Sequence, residues 1–233
     1  MKRNTGFIKC LLRLLAVLGL APVLLVLLFR FVHPPTSAFM IRERVLSLTE
    51  KSNRPAVQFQ WVGWDSISPN LPLAVVAAED QKFPHHHGFD LESIEAAMKT
   101  NQKGGRTRGA STISQQVAKN LFLWPGKSYF RKGLEAGFTV LIELLWPKKR
   151  ILEVYVNVAE FGEGIYGARA ASAAFFGKTP DRLSAREAAL LAAVLPSPKR
   201  MKAHRPSPYV QGRADWIEQQ MAQLGGTAYV NNL

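Results

Sequence analysis

The longest apolar stretch of the chain lies close to its N-terminus. Residues 14–29 contain no charged side chain. A helix rises about 1.5 Å per residue, so these residues span roughly 24 Å and approach the hydrocarbon thickness of a bilayer when Phe31 and Val32 are added. The pattern predicts a transmembrane helix over residues 14–32. A cleaved signal peptide is the alternative, which the length of the stretch and the lack of a small-residue cleavage site after Phe31 disfavour.

The charges around this stretch predict a topology. Lys2, Arg3, Lys9 and Arg13 precede it, and no acidic residue occurs among the first 33 positions. The positive-inside rule therefore places residues 1–13 in the cytoplasm and the chain after the helix on the other side of the membrane. With Arg30 at the end of the stretch, the first 33 residues hold five of the 30 Lys and Arg and none of the 17 Asp and Glu, so the part beyond residue 33 keeps a net charge of +8.

A basic exported domain indicates an anionic partner. Its charge suits an anionic membrane surface or a phosphate-bearing substrate, and export argues against nucleic acid. The single cysteine, Cys10, lies at the entry to the membrane. The exported domain is therefore expected to be stable by packing alone, without a disulfide.

The pattern beyond the predicted anchor is mostly helical. Residues 33–70 predict a linker and membrane-proximal segment with one short extended piece, whose aromatic residues Phe59, Trp61 and Trp64 fit either a core or a membrane interface. Residues 71–233 predict a single, mainly α-helical domain without repeats. Within it, residues 101–108 are rich in glycine and basic side chains, which predicts a mobile loop.

Caps and apolar stripes mark several helices of this domain. Thr112 and Gln115 have the spacing of a capping box, and Ser184 with Glu187 repeats it. Ser128 begins another helix, and the spacing predicts its buried positions. Those positions are Phe130, Leu134, Phe138, Leu141 or Ile142, and Leu145. Residues 151–159 are nearly continuous in apolar residues and predict a central helix.

Candidate chemistry is concentrated in residues 79–88. Residues 73–78 predict a buried helix that ends on Glu79 and Asp80, so two acids emerge from an apolar element into a turn. Desolvation raises the pKa of a carboxyl group, which suits a general acid or base near neutral pH. An ordinary solvated pair at a helix end is the alternative interpretation. His85, His86 and His87 are successive and do not converge on one ion, so a metal site is not expected.

Two further helices carry polar residues at helical spacing. Thr112, Gln115 or Gln116, and Lys119 share one face and could hold an anion, although an ordinary wet helix face looks the same. Arg131 and Glu135 are four residues apart, a spacing that usually gives a modest surface pair.

The order and content of these motifs resemble glycosyltransferase family 51, the peptidoglycan glycosyltransferases. The motifs that carry the resemblance are Glu79-Asp80-x-x-Phe83-x-x-His86-x-Gly88, Gly109-Ala-Ser-Thr-Ile-x-Gln-Gln-x-x-Lys-Asn120, Arg131-Lys132-x-x-Glu135 and Ile151-Leu-Glu-x-Tyr-x-Asn157 with Phe161-Gly162. Arg213 is a candidate for a fifth motif. Ser114 and Val117 are mild departures, at positions often taken by Thr and Leu. Because no transpeptidase domain follows, the chain is most similar to members with the glycosyltransferase domain alone.

The resemblance implies a mainly α fold: a lysozyme-like helical glycosyltransferase domain with a membrane-facing lobe, behind one N-terminal transmembrane helix. It implies polymerisation of lipid II in the periplasm of a bacterium, with Glu79 as general base and Glu135 assisting near the donor phosphates. The residues then expected to bind substrate are Asp80, Phe83, His86, Ser111, Thr112, Gln115, Gln116, Lys119, Asn120, Arg131, Lys132, Glu153 and Asn157. Lys119 and Arg131 would balance charge on the departing pyrophosphate.

The resemblance also bears on cofactors, partners and alternatives. No cofactor is expected to be required, although some family members are helped by a divalent cation. Expected partners are lipid II, the growing glycan strand, the membrane and other cell-wall synthesis or division proteins, with no nucleic acid. The competing functions are a membrane-anchored lysozyme-like hydrolase, which would use paired carboxylates, and a non-catalytic membrane scaffold.

Overall fold

The computed structural model of the protein describes residues 4–49, 55–102, 111–126 and 128–233. These residues are mainly helical, as the sequence predicts. The helices are α1 (Asn4–Phe31), α2 (Ala38–Thr49), α3 (Asn70–Glu79), α4 (Leu91–Gln102), α5 (Ile113–Phe122), α6 (Tyr129–Leu145), α7 (Lys148–Val158), α8 (Gly167–Phe176), α9 (Ala185–Val194), α10 (Pro208–Gln223) and α11 (Ala228–Asn231). The loop predicted at residues 101–108 falls on the end of α4 and otherwise outside the described residues.

A small sheet completes the architecture. Its strands are β1 (Gln58–Phe59), β2 (Glu160–Gly162) and β3 (Ile165–Tyr166), in the order β1-β3-β2. β1 runs parallel to β3, and β2 and β3 form an antiparallel hairpin. The chain leaves this hairpin at Gly167, whose φ is +81° and where a Cβ atom would lie 2.4 Å from the carbonyl oxygen of Asn157. Glycine is required there by both the backbone angle and the close approach.

The core is built around helices that are apolar on nearly every side. Residues 71–77 of α3 and residues 188–194 of α9 are all buried, and α3, α9 and α10 pack against one another. In α7, residues 150–158 are buried except Glu153. A helix that is apolar all round is stable only inside a protein. The central position predicted for residues 151–159 is therefore confirmed, and so are the predicted capping boxes at Thr112 and Ser184.

Helix α6 corrects the burial expected from its periodicity. Phe130 was expected inside, but its side chain is 72% exposed. The residues of α6 that are buried are Arg131, Glu135, Thr139 and Ile142. The helix is turned so that its polar stripe faces the protein, because that stripe forms ion pairs and hydrogen bonds there. Part of its apolar face packs against α1, and Phe138 stacks on Phe122 with 4.6 Å between ring centroids.

The end of α1 is fastened to the α6–α7 junction. The indole Nε1 of Trp146 donates to the carbonyl of buried Val26 at 2.7 Å. The guanidinium of Arg150 donates to the carbonyls of Phe29 at 2.8 Å and Val32 at 2.9 Å, which otherwise lack helical partners. No helix within the described ranges is both long and apolar enough to cross a membrane.

Helices α2 and α11 were not expected from the sequence. Residues 33–70 were expected to be a linker, yet they contain α2, while the expected short extended piece is present as β1. The second helix, α11, follows the turn at Gly225 and Gly226. The aromatic residues of the segment belong to the fold. Trp61 stacks on His33 with 4.7 Å between ring centroids and lies under the guanidinium of Arg150.

Candidate active site

Glu79 is the last residue of α3, and three other helices fix its carboxylate. The side-chain amide of Gln116 in α5 donates to Glu79 Oε2 at 2.8 Å. Arg213 of α10 places Nη2 at 3.8 Å from Glu79 Oε1. The hydroxyl of Tyr155 in α7 donates to Gln116 Oε1 at 3.1 Å, which orients the amide toward Glu79. The carboxylate is therefore held in one direction before any ligand arrives.

The environment of Glu79 changes its acidity. Burial raises the pKa of the Glu79 carboxyl, the hydrogen bond from Gln116 and the charges of Arg213 and Lys119 oppose this rise, and Asp80 adds to it. A carboxylate with a raised pKa is a stronger base than a solvated one. The desolvated acid that the sequence predicts where an apolar helix meets a polar turn is present at Glu79.

Asp80 has a different environment from its neighbour. Both of its carboxylate oxygens contact His86 Nε2, at 2.8 and 3.0 Å, and Oδ2 also accepts from the backbone N–H of Ile113 at 3.0 Å. The N–H of Gly88 donates to His86 Nδ1 at 3.1 Å, so Nδ1 is an acceptor. The ring proton is therefore on Nε2, which donates a hydrogen bond to Asp80. Asp80 thus ties the end of α3 to the beginning of α5, and Glu79 is the more available acid.

Phe83 and His86 pack together beside Asp80, and their expected contact with substrate stays a prediction. Phe83 is fully buried, and the edge of His86 approaches its ring. The ammonium of Lys148 lies 4.6 Å from the centroid of Phe83, donates to the carbonyl of His86 and pairs with Glu143. Phe83 and Lys148 thus fix His86, and His86 in turn holds Asp80 in place through its hydrogen bond.

The beginning of α5 is built by its cap. Thr112 Oγ1 accepts from the N–H of Gln115, and Gln115 Oε1 accepts from the N–H of Thr112. Thr112 Oγ1 also donates to the carbonyl of Gly88 at 2.7 Å. The side chains of Thr112 and Gln115 are therefore occupied in fixing the helix, whereas Ser111 just before it is exposed at the cavity surface.

A second cluster on α5 and α6 combines cations with one buried carboxylate. Glu135 is 3% exposed and is bracketed by Arg131 Nη1 at 2.8 Å and by the ammonium of Lys132. Arg131 Nε also donates to the carbonyl of Gly126 at 2.8 Å. Burial lowers the pKa of Lys119, with the positive charges of Arg131 and Lys132 acting in the same direction and Glu135 opposing. The modest surface pair expected at Arg131 and Glu135 is instead buried.

Glu153 and Asn157 hold a neighbouring segment against α7, and their expected contact with substrate stays a prediction. Glu153 Oε1 accepts from the N–H of Trp64 at 3.0 Å, and its Oε2 pairs with Arg150 at 2.6 Å. Fully buried Asn157 accepts from the N–H of Val62 and donates to its carbonyl, both at 2.9 Å. These contacts pin residues 61–64 to α7, which satisfies both polar groups.

Two cavities meet at this site. The carboxylate cavity, about 390 Å³, is lined by Ala77, Ala78, Glu79, Asp80, Gln81, Lys82, Asp90, Ser93, Ser111, Thr112 and Trp216. The cationic cavity, about 490 Å³, is lined by Phe39, Ser111, Gln115, Gln116, Lys119, Pro125, Gly126, Arg131, Lys132 and Glu135. Ser111 lines both, and Gln116 of the cationic cavity binds the carboxylate of Glu79. Glu79 thus lies between a cavity that it lines together with Asp80 and a cavity that is lined by cations.

Some functional neighbours escaped the sequence analysis. Phe39 and Trp216 line the two cavities but come from segments without a motif. Nothing in the positions of Lys148 and Glu143 along the chain indicates that Lys148 contacts His86 and pairs with Glu143. Arg150 and Glu153 are three residues apart on α7, a spacing that could have indicated their ion pair.

Comparisons with known proteins show the family of the chain. The model of the transglycosylase family matches residues 46–222. A protein from Xanthomonas campestris is 58% identical over 210 residues, which cover 90% of this chain and 85% of the relative. A protein from Pseudomonas fluorescens is 57% identical over 212 residues, covering 91% and 88% of the two chains. One from Xanthomonas euvesicatoria is 54% identical over 229 residues, covering 98% and 92%. All three are named biosynthetic peptidoglycan transglycosylase. The chain therefore belongs to the transglycosylase family.

Proposed function

We propose that the protein is a peptidoglycan glycosyltransferase that polymerises lipid II into β-1,4 glycan strands and releases undecaprenyl pyrophosphate. The observation that carries this proposal is the placement of Glu79. A desolvated carboxylate lies between a cavity open to a neutral acceptor and a cavity whose cations suit a phosphate-bearing donor. The relatives are named for the same activity.

In the proposed reaction the acceptor sugar occupies the carboxylate cavity. Glu79 takes the proton from its 4-hydroxyl, and the oxygen attacks C1 of the donor. The bond from C1 to the pyrophosphate oxygen breaks, and the anomeric configuration inverts. No covalent sugar-enzyme intermediate forms, so the site requires a general base and no nucleophile. Gln116 and Tyr155 orient the base, because they fix the carboxylate from one side.

The donor pyrophosphate is assigned to the cationic cavity. Lys119, Arg131 and Lys132 would balance the charge that grows on the leaving oxygen, and a preorganised cation acts most strongly in a buried site. Glu135 holds Arg131 and Lys132 in place through its two ion pairs, which defines its role near the phosphates. These side chains supply positive charge without a cofactor. A divalent cation would add to that charge, and turnover in a chelator measures its contribution.

A glycan hydrolase requires two carboxyl groups that flank the scissile bond, one of them as proton donor. Two other acids line the cavity of Glu79: Asp80 accepts from His86 and Ile113, and Asp90 accepts from the N–H of Ser93 at the beginning of α4. The other buried acid, Glu135, is paired with two cations. In the transferase assignment, Asp80 ties α3 to α5 and Glu135 holds the two cations, which agrees with their contacts. In the hydrolase assignment, one of them would have to act as proton donor.

The proposal includes attachment to the bacterial inner membrane by a single pass of α1, with the N-terminus in the cytoplasm and the catalytic domain in the periplasm. Exposed apolar side chains support it, on α1 at Leu24 and Leu28 and on the neighbouring α6 at Phe130 and Leu144. Apolar groups of this kind suit contact with lipid. Membrane fractionation and protease accessibility of a C-terminal tag test the topology.

Incubation of the purified full-length protein with labelled lipid II tests the activity. We expect polymer that a muramidase digests to disaccharide units. Absence of polymer under conditions in which a bifunctional relative makes it would contradict the proposed function. Release of soluble fragments from finished glycan would identify a hydrolase instead.

A further inference from the structure

Phe39 of α2 lies at the boundary of two cavities. It lines the cationic cavity and also a third cavity of about 270 Å³, which we call the tyrosine cavity. The tyrosine cavity is lined by Phe39, Gln116, Lys119, Asn120, Tyr155, Val158, Ala159, Glu160, Tyr166, Leu195, Pro196 and Pro198. Phe39, Gln116 and Lys119 line both cavities and form their common wall. α2 begins ahead of residue 46, where the match to the family model begins.

The chemistry of the tyrosine cavity is mixed. The amides of Gln116 and Asn120, the carboxyl of Glu160 and the hydroxyls of two tyrosines surround the apolar side chains of Phe39, Val158, Leu195 and two prolines. A sugar ring matches such a lining, because it has hydroxyls at its edge and C–H groups on its faces. The volume of the tyrosine cavity, about 270 Å³, is close to the lower limit for ligand pockets, which is roughly 300 Å³.

We propose that Phe39 is a specificity-determining residue that stacks on a sugar ring of the donor while the adjoining pyrophosphate lies in the cationic cavity. The proposal rests on the proposed function, since it names a further contact of that donor. An isoprenoid chain is the other apolar group of such a substrate. An isoprenoid chain would cover the amide of Asn120 and the carboxyl of Glu160 with groups that cannot form hydrogen bonds to them, which is unfavourable.

α2 is fixed well enough to hold Phe39 at this wall. The neighbouring Met40 is fully buried and its N–H donates to Ser37 Oγ at 3.2 Å. Further along α2, Glu43 pairs with Lys199 at 3.1 Å, and Lys199 also lies 3.8 Å from Glu160 of the tyrosine cavity. α2 also packs against α5, which carries Gln116 and Lys119. Phe39 itself is half-buried, so part of its ring remains accessible.

The test compares binding of two probes to the full-length protein carrying Glu79→Gln, so that turnover does not interfere. Lipid II contains the sugars, and undecaprenyl pyrophosphate has the same lipid and phosphates without them. We expect Phe39→Ala to weaken lipid II binding about 3-fold to 10-fold, as loss of one aromatic contact does. The dissociation constant of undecaprenyl pyrophosphate should change less than about 2-fold. A change of that size is within the error with which the effects of independent substitutions add.

Conservative variants separate stacking from packing. Phe39→Tyr keeps the flat ring and should bind lipid II like the parent protein. Phe39→Leu keeps an apolar side chain without a ring and should resemble Phe39→Ala. The control is Ile41→Ala, an apolar truncation on the same helix at a side chain that is 50% exposed, and it should change neither affinity. Thermal melting of each variant reports whether α2 stays in place.

Three results would overturn the assignment of Phe39. They are lipid II binding unchanged in Phe39→Ala, equal weakening of both probes, and full binding by Phe39→Leu. Equal weakening would place the ring against the lipid or show a general loss of structure. Failure of the proposed function is distinguishable, because it appears as absence of polymer from the wild-type enzyme and not as a difference between the two probes.

Discussion

Replacement of Glu79 by Gln has opposite expected effects on activity and stability. The amide keeps an oxygen that can accept the hydrogen bond from Gln116, now 2.8 Å from Glu79 Oε2, but it cannot accept a proton from the acceptor sugar. We expect turnover to fall by about 10² or more, the usual contribution of a general base. That factor corresponds to about 2.7 kcal/mol of activation free energy.

The stability effect follows from the sign of the pKa shift. Because burial raises the pKa of Glu79 in the folded protein, its ionised form is less favourable there than in the unfolded chain. This destabilisation is absent below the unfolded pKa and is complete above the raised folded pKa. A neutral Gln removes it, so Glu79→Gln should melt at or above the wild-type temperature near pH 8. The difference should shrink as the pH falls through the folded pKa of Glu79.

Lipid II polymerisation and thermal melting, measured together from pH 5 to 9, check both effects. Glu95→Gln is the matched control, because it makes the same change at an exposed carboxylate that pairs only with the exposed Lys99 among described residues. Wild-type turnover should decline at low pH as Glu79 is protonated and at high pH as Lys119, whose pKa burial lowers, loses its proton. Near-normal turnover in Glu79→Gln, or a melting temperature that falls well below that of the control, would refute the role given to this carboxylate.

Further predictions concern the cations, the N-terminal helix and metal. Lys119→Ala should lower kcat by roughly 10-fold to 10³-fold with a smaller effect on KM, because charge on the leaving group grows in the transition state. Arg131→Lys should restore little of the activity lost in Arg131→Ala. One ammonium cannot bind both the carbonyl of Gly126 and the carboxylate of Glu135 while it also faces phosphate. Unchanged turnover in a folded Arg131→Lys protein would contradict this prediction. Arg150→Ala should lower the melting temperature and loosen α1, seen as increased proteolysis near residue 33, because it leaves Glu153 and the carbonyls of Phe29 and Val32 without their donor. Removal of residues 1–22 should preserve the melting temperature and raise KM for lipid II in vesicles, whereas removal of residues 1–33 should also destabilise the domain by uncovering Trp146. Turnover that disappears in a chelator and returns with a divalent cation would show that the side-chain cations are insufficient.

Local patterns in the sequence determined the helices whose ends and faces are chemically marked. The capping boxes at Thr112 and Ser184, the cap at Ser128 and the apolar run of α7 each depend on residues a few positions apart, so they could be predicted without the fold. The position of Glu79 at the end of a buried helix is equally local. Helix α2 has a serine cap at Ser37 but no continuous apolar run, and its contacts with α5 and Lys199 come from distant parts of the chain.

Only the tertiary structure decided which polar residues face the cavities. His86, Glu153 and Asn157 belong to the same motifs as the cavity residues, yet in the folded protein they are hydrogen-bonded to Asp80, Trp64 and Val62. Sequence gives the residue types, whereas a hydrogen bond across 95 positions, such as the one between Val62 and Asn157, exists only after folding.

The orientation of α6 was decided in the same way. Its periodicity admits two buried faces, one apolar and one formed by Arg131, Glu135 and Thr139. The ion pairs between Glu135 and its two cations, together with the cover that α1 provides for part of the apolar face, select the second. Spacing along a helix states which side chains lie together, but the neighbours that satisfy them determine which face is inside.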